Sequence, residues 1–135
     1  MSIELEIAQL AASAVFRNGL VTIVDAGIDQ FYLSDPKTEI VEVTAVAKVA
    51  FSEPDTGKQY TGSFKVFDPD LQLVTDVPLQ TPTERPPHAD LTLPFAFTAI
   101  SVLKFVPKTF GTFQIRFSVD GAITKDLALS VRPKT

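Results

Sequence analysis

The chain has 135 residues, 45% hydrophobic and 21% charged, with ten Pro, six Gly and no Cys, an arithmetic that fits one globular domain of roughly 100–200 residues. A net charge of −4, with Lys and Arg scattered singly, excludes the basic stripe of a nucleic-acid binder and offers an anionic membrane surface no counterpart. One His, one Met, no Cys and no Trp remove most of the side chains from which catalytic and metal centres are built, so the composition points to a protein that is not an enzyme and carries no cofactor.

The opening residues, Met1-Ser2-Ile3-Glu4-Leu5-Glu6, are acidic where a secretory leader is basic, so a soluble, cytoplasmic protein is expected. The longest uncharged run, Leu91 to Leu103, is shorter than the roughly 20 apolar residues that span a bilayer. Ile3, Ile7, Leu10, Ala11 and Ala14 fit a helical spacing, yet Ile3, Leu5 and Ile7 also alternate with Glu4 and Glu6, as in a strand. The strand reading is preferred because Asn18-Gly19 lies between apolar runs at Ala14–Phe16 and Leu20–Val24, a strong hairpin signal.

Next, Val43, Ala45, Ala47, Val49 and Phe51 alternate with Glu42, Thr44 and Lys48, the pattern of a long strand with one buried face. Glu53-Pro54-Asp55-Thr56-Gly57 consists of turn formers, and Tyr60, Phe64 and Val66 resume the alternation, so the strands on either side are expected to be neighbours. Asp76 to Asp90 holds four Pro and no repeating apolar pattern, the mark of a long surface loop. Leu91, Leu93, Phe95 and Phe97 keep one phase before the apolar positions move to Ile100 and Val102 and then to Leu103 and Phe105, which predicts a bulge near Ala99. Phe113, Ile115, Phe117 and Val119 lead through Asp120-Gly121 to Leu127, Leu129 and Val131, a closing hairpin. Together these elements predict an all-β fold over residues 1–135: a two-layer antiparallel β-sandwich of seven to nine strands, with Val43, Val49, Phe64, Phe95, Phe113, Ile115, Phe117 and Leu129 in its core.

The stretch Leu10-Ala11-Ala12-Ser13-Ala14-Val15-Phe16-Arg17-Asn18-Gly19-Leu20-Val21-Thr22-Ile23-Val24-Asp25-Ala26-Gly27 resembles the opening hairpin of a family of small bacterial β-sandwich proteins of unknown function. Phe110-Gly111-Thr112-Phe113-Gln114-Ile115-Arg116-Phe117-Ser118-Val119-Asp120-Gly121 is similar to that family's closing hairpin and, more loosely, to that of many immunoglobulin-like domains. At Asp25-Ala26-Gly27 the chain departs from the paired or tripled Gly of the family. The resemblance implies an immunoglobulin-like fold and no activity.

Candidate sites are few. His88, in Arg85-Pro86-Pro87-His88-Ala89-Asp90, lacks a Gly-x-Ser-x-Gly elbow to work with and reads as part of a solvated loop. Asp68, Asp70 and Asp76 are hard oxygen ligands of the kind calcium takes, although Asp-Pro-Asp is also an ordinary turn. Asp25, Asp29 and Asp35 around Gly27 would need a cleft to act as acid and base, and read better as turn residues. Of eleven Phe, most fall on core faces; Phe31, Tyr32 and Phe110 are consecutive or turn-adjacent aromatics that cannot all point inward, and they are the ligand or partner candidates. Ile40, Val46, Ala50, Ile100 and Val102 form a second apolar face opposite the core stripe, which predicts a homo-oligomer. The leading expectation is a binding or assembly module acting through protein–protein contacts. The alternative is a carbohydrate- or calcium-dependent ligand-binding module.

Overall fold

The computed structural model describes residues 3–17, 20–51, 61–80, 95–119 and 123–134. Ten strands make up the described fold: β1 (Ile3–Ala11), β2 (Ser13–Arg17), β3 (Leu20–Val24), β4 (Gln30–Leu33), β5 (Val41–Phe51), β6 (Thr61–Phe67), β7 (Leu73–Gln80), β8 (Phe95–Phe105), β9 (Gly111–Val119) and β10 (Ile123–Pro133). They form a three-stranded sheet in the order β1-β5-β8, a five-stranded sheet in the order β4-β10-β9-β6-β7, and the separate pair β2-β3. Among the described residues no helix is long and apolar enough to cross a membrane.

The two larger sheets pack face to face because each presents an alternating apolar stripe. Leu10, Val41, Val43, Ala45, Ala47, Val49, Ala99, Leu103 and Phe105 from one sheet meet Leu33, Phe64, Val66, Phe113, Ile115, Phe117, Val119, Leu129 and Val131 from the other. Small Ala residues at 45, 47 and 99 face a sheet carrying the rings of Phe64, Phe113 and Phe117, so large side chains of one layer fill the shallow places of the other. The ring centroids of Phe64 and Phe117 lie 5.2 Å apart, and those of Phe105 and Phe113 lie 5.5 Å apart, tilted contacts within the favourable aromatic range. Every expected core residue is buried except Phe95, whose side chain lies outside the described residues.

The opening segment is β-structure, as preferred from the Asn-Gly signal. Its helix-like spacing comes from a register shift in the β1–β5 ladder between Leu5 and Ile7. One extra residue there turns the inward phase from Leu5 to Ala8 and Leu10, and a bulge of this kind imitates a helical interval.

The structure corrects five sequence expectations. Strand number is ten, above the seven to nine expected, because the 30–33 and 73–80 segments are strands. The fold is not antiparallel throughout: β4 runs parallel to β10, with Phe31 beside Val131 and Tyr32 beside Arg132. The long strand β5 and strand β6 are not neighbours, since β5 pairs with β1 and β8 while β6 pairs with β7 and β9; the two strands belong to different sheets, and the expected turn at 53–57 lies outside the described residues. The expected 76–90 loop does not begin at Asp76, because β7 is an edge strand that extends through Pro78 to Gln80 and an edge tolerates a missing donor; residues 81–90 lie outside the described residues. No bulge occurs near Ala99: β5 and β8 keep one register from Phe51–Phe95 to Val41–Phe105. Ser101 takes an inward-phase position and Ile100 and Val102 lie on the outer face, which makes the apolar pattern look shifted when the strand is regular.

Candidate functional site

The β2–β3 pair belongs to neither large sheet. Its register runs from Ser13–Val24 to Arg17–Leu20, so Ala14 with Ile23 and Phe16 with Val21 share one face, and Val15 with Thr22 share the other. The Ala12 N–H donates to the Val24 carbonyl at 3.0 Å, and the N–H groups of Gly27 and Ile28 both donate to the Leu10 carbonyl. These bonds tie the base of the hairpin to the end of β1. The Thr44 hydroxyl, on the outer face of β5, donates to the Ala12 carbonyl at 3.4 Å, and β2 is the strand of the pair that approaches β5 and β8.

Beyond that anchorage the hairpin is apolar and exposed: Val15, Phe16, Leu20 and Val24 keep roughly half or more of their surface, with Leu20 at 72%. A lone two-stranded hairpin is marginal in water, and a hairpin apolar on both faces has more surface than its own fold uses. Sequence reasoning found this hairpin but not its surface. The signal was Ala14-Val15-Phe16, three consecutive apolar residues, because successive side chains of a strand cannot all face one core.

The expected second apolar face is divided. Val46 and Ala50 are buried within the single chain, whereas Ile40 and Val102 are more than half exposed. Val46 is therefore part of the interior, which corrects its assignment to a contact between copies; Ile40 and Val102 remain at the surface.

The three candidate aromatics separate. Phe31 is half-buried against the core. Tyr32 is exposed, and its hydroxyl donates to the Gln30 amide oxygen of the same strand. Phe110 is exposed at the edge of a depression of about 320 Å³ lined also by Gly111, Thr112, Ser130, Val131, Arg132 and Pro133. Arg132 pairs in register with Tyr32, so Tyr32, Arg132 and Phe110 gather at the corner where β4, β10 and β9 begin or end. The Thr112 and Ser130 hydroxyls lie 3.3 Å apart along its floor.

Asp68 is occupied by its own turn. Its carboxylate accepts from the Asp70 and Gln72 N–H groups at 2.9 and 2.8 Å, and the backbone closes with Leu71 N–H donating to the Asp68 carbonyl. Asp76 lies on β7 opposite Lys65, away from that turn in sequence and role. Among the described residues no group of three or more Asp, Glu, His or Cys is placed to hold a metal ion. Asp35 is likewise a turn residue: its carboxylate accepts from Lys37 N–H at 2.9 Å and from the Thr38 hydroxyl at 3.0 Å, while Glu39 accepts from Ser34 and Asp35 N–H. Asp29 contributes its carbonyl to Ser130 N–H, and Asp25 takes a φ of 54° at the exit of β3. His88 lies outside the described residues.

The outer face of the five-stranded sheet is polar. Asp76, Lys65, Arg116 and Asp126 form one row across β7, β6, β9 and β10. Arg116 Nε donates to Asp126 Oδ1 at 2.8 Å and a second guanidinium nitrogen to Oδ2 at 3.2 Å, a two-pronged pair. Its guanidinium carbon also lies 5.0 Å from the centroid of the Phe67 ring, within cation–π range. The hydrogen bond from Arg116 holds the Asp126 carboxyl below its ordinary range, against the opposing effect of partial burial. The same pairing raises the Arg116 guanidinium. Comparison of the chain with protein-family models and with curated proteins found no match.

Proposed function

We propose that this protein is a non-catalytic module that assembles through protein–protein contacts, with a second copy of itself as the partner and β2–β3 as the contact element. The observation that carries the reading is the exposure of Val15, Leu20 and Val24 on one face of a short hairpin and of Phe16 on the other, since large apolar side chains gathered at the surface of a folded domain mark an interaction site. The scattered cations and net charge of −4 favour a protein partner over nucleic acid or a membrane. The test is sedimentation of the full chain across a dilution series, alongside a Leu20→Asp, Val24→Asp double variant. A dimer that the double variant reduces to monomer with an unchanged circular dichroism spectrum supports the reading. A monomeric wild type, or a dimer indifferent to both substitutions, sinks it.

The sandwich itself we read as immunoglobulin-like. The orders β1-β5-β8 and β10-β9-β6-β7 follow the A-B-E and G-F-C-C′ orders of that fold in its variable form. In this reading β2–β3 is an insertion after the first strand, and β4 returns that strand to the opposite sheet.

A second reading, a ligand-binding module for carbohydrate, is favoured by Tyr32, Arg132 and Phe110 at one corner beside the Thr112 and Ser130 hydroxyls. Titration with neutral oligosaccharides, followed by calorimetry and repeated in Tyr32→Ala, tests it: saturable heat lost in the variant supports it, and a flat response in the wild type refutes it.

A further inference from the structure

We infer that two copies of this chain join by antiparallel pairing of β3 with β3 about a two-fold axis through Thr22, which makes a four-stranded sheet in the order β2-β3-β3-β2. The inference rests on the self-assembly reading above and specifies its register. The Val24 carbonyl points toward β2, where it accepts from Ala12 N–H. Backbone groups of successive strand residues point to alternate edges, so Leu20, Thr22 and Val24 bond toward β2 while Val21 and Ile23 turn their N–H and C=O groups to the far edge. No strand lies beside that edge among the described residues.

The sequence of β3, Leu-Val-Thr-Ile-Val, is close to a palindrome in size and polarity. A two-fold axis at Thr22 sets Val21 against Ile23 of the second copy, the pairing in which both residues exchange their outward N–H and C=O groups. Leu20 then meets Val24 of the second copy, and the two Thr22 side chains meet each other. These are the β-branched and hydroxyl pairs that antiparallel sheets favour. Charge agrees as well: Arg17, opposite Leu20 in β2, comes to the same end of the new sheet as Asp25 of the second copy, and both residues are exposed. Symmetry supplies this opposite-charge approach at each end.

The edges of the two large sheets make the contrast: in the three-stranded sheet β1 carries Glu4 and Glu6 and β8 carries Lys104. β7 carries Asp76 and Pro78 and β4 is four residues long, and charge, Pro and brevity are the means by which folded proteins keep an edge from pairing. β3 has none of the charges, Pro or bulges that would guard it.

The chain contains no Cys, so a single Thr22→Cys substitution reports on the axis directly. Opposed residues in a non-hydrogen-bonded antiparallel pair have Cα atoms about 4.5 Å apart, within the roughly 4.4–6.8 Å that a disulfide spans. Under mild oxidation Thr22→Cys is expected to convert to a covalent dimer, while Thr112→Cys, exposed on the far sheet, stays monomeric on a denaturing gel. Ile23→Pro removes an outward donor without touching the β2 ladder, so the sedimenting mass is expected to fall twofold with the strand spectrum unchanged. A dimer that survives Ile23→Pro and gives no Thr22→Cys cross-link overturns the edge pairing. If that dimer is still lost in the Leu20→Asp, Val24→Asp variant, the hairpin remains the contact element and only the register is wrong. A dimer unaffected by any of these changes overturns both.

Discussion

A Cβ built on Gly111 falls 2.6 Å from Cγ of Pro69 and 3.2 Å from its Cβ. The start of β9 and the turn before β7 therefore touch at a distance that only a glycine allows. Gly111 also takes a φ of 142°, a conformation that L side chains rarely adopt. Gly111→Ala is expected to destabilise the fold through backbone strain of about 1–3 kcal/mol and overpacking of about 1–3 kcal/mol. Urea titration measures the loss, and Pro69→Ala in the same background is expected to recover part of it, since it deletes the closest atom. A variant as stable as wild type would show that the turn simply moves away.

Leu71 illustrates the opposite situation. It has a φ of 63° with its side chain 65% exposed, so an apolar residue sits in the left-handed region and buries little. Asn is tolerated there better than Leu because its short polar side chain bonds locally. Leu71→Asn is expected to raise stability by up to about 1 kcal/mol, measurable as a higher urea midpoint with an unchanged slope. A lower midpoint would mean that Leu71 makes a contact its exposure conceals.

Much of this fold is legible in the sequence where one face of a strand is buried and the other wet. Phe113, Ile115 and Phe117 are read correctly because Gln114, Arg116 and Ser118 between them are polar and face solvent. Reading fails where that contrast disappears. Ile100 and Val102 make the outer face of β8 apolar, so a regular strand imitates a bulge. In β7, Pro78 hides an edge strand because the donor it lacks is not needed there. Which strands pair is less legible still, since the alternation of β5 and β6 reports a buried face but not the sheet to which it belongs. At the candidate site, Tyr32 and Phe110 were visible as aromatics out of phase. Arg132 was not, because its place beside Tyr32 depends on the parallel β4–β10 pairing, which no local pattern encodes.

The pair Arg116–Asp126 makes stability depend on pH in a defined direction. Arg116 holds the Asp126 carboxyl below its ordinary range, so the folded form binds that proton less readily than the unfolded chain. Stability from this pair is fully present above the unfolded carboxyl's pKa and is lost as pH falls through the lower, folded value. Both side chains are partly exposed, so the effect is modest and weakens in salt. Asp126→Asn is expected to be less stable than wild type at neutral pH, with the two urea midpoints converging as pH falls below the carboxylate range. A gap that stays constant with pH would assign the loss to packing.

Val46 and Val102 lie on the same outer face of the β1-β5-β8 sheet, in neighbouring cross-strand pairs with Ile100 and Thr44, yet their fates should differ. Val46 is fully buried and Val102 is 53% exposed. An aspartate at position 46 would be a charge without water or a designed partner, and the desolvation of an unpaired ion costs at least several kcal/mol, a large part of the roughly 5–15 kcal/mol that stabilises a domain. Val46→Asp is therefore expected to unfold the protein at neutral pH or to lower its melting temperature by tens of degrees. At position 102 the carboxylate reaches solvent, and the change should stay near the ±0.5 kcal/mol or so of ordinary surface substitutions. Thermal melts of the two variants at equal concentration make the comparison. Two variants of equal stability would mean that the cover over Val46 opens readily enough to admit water, and that this face of the sheet is a surface after all.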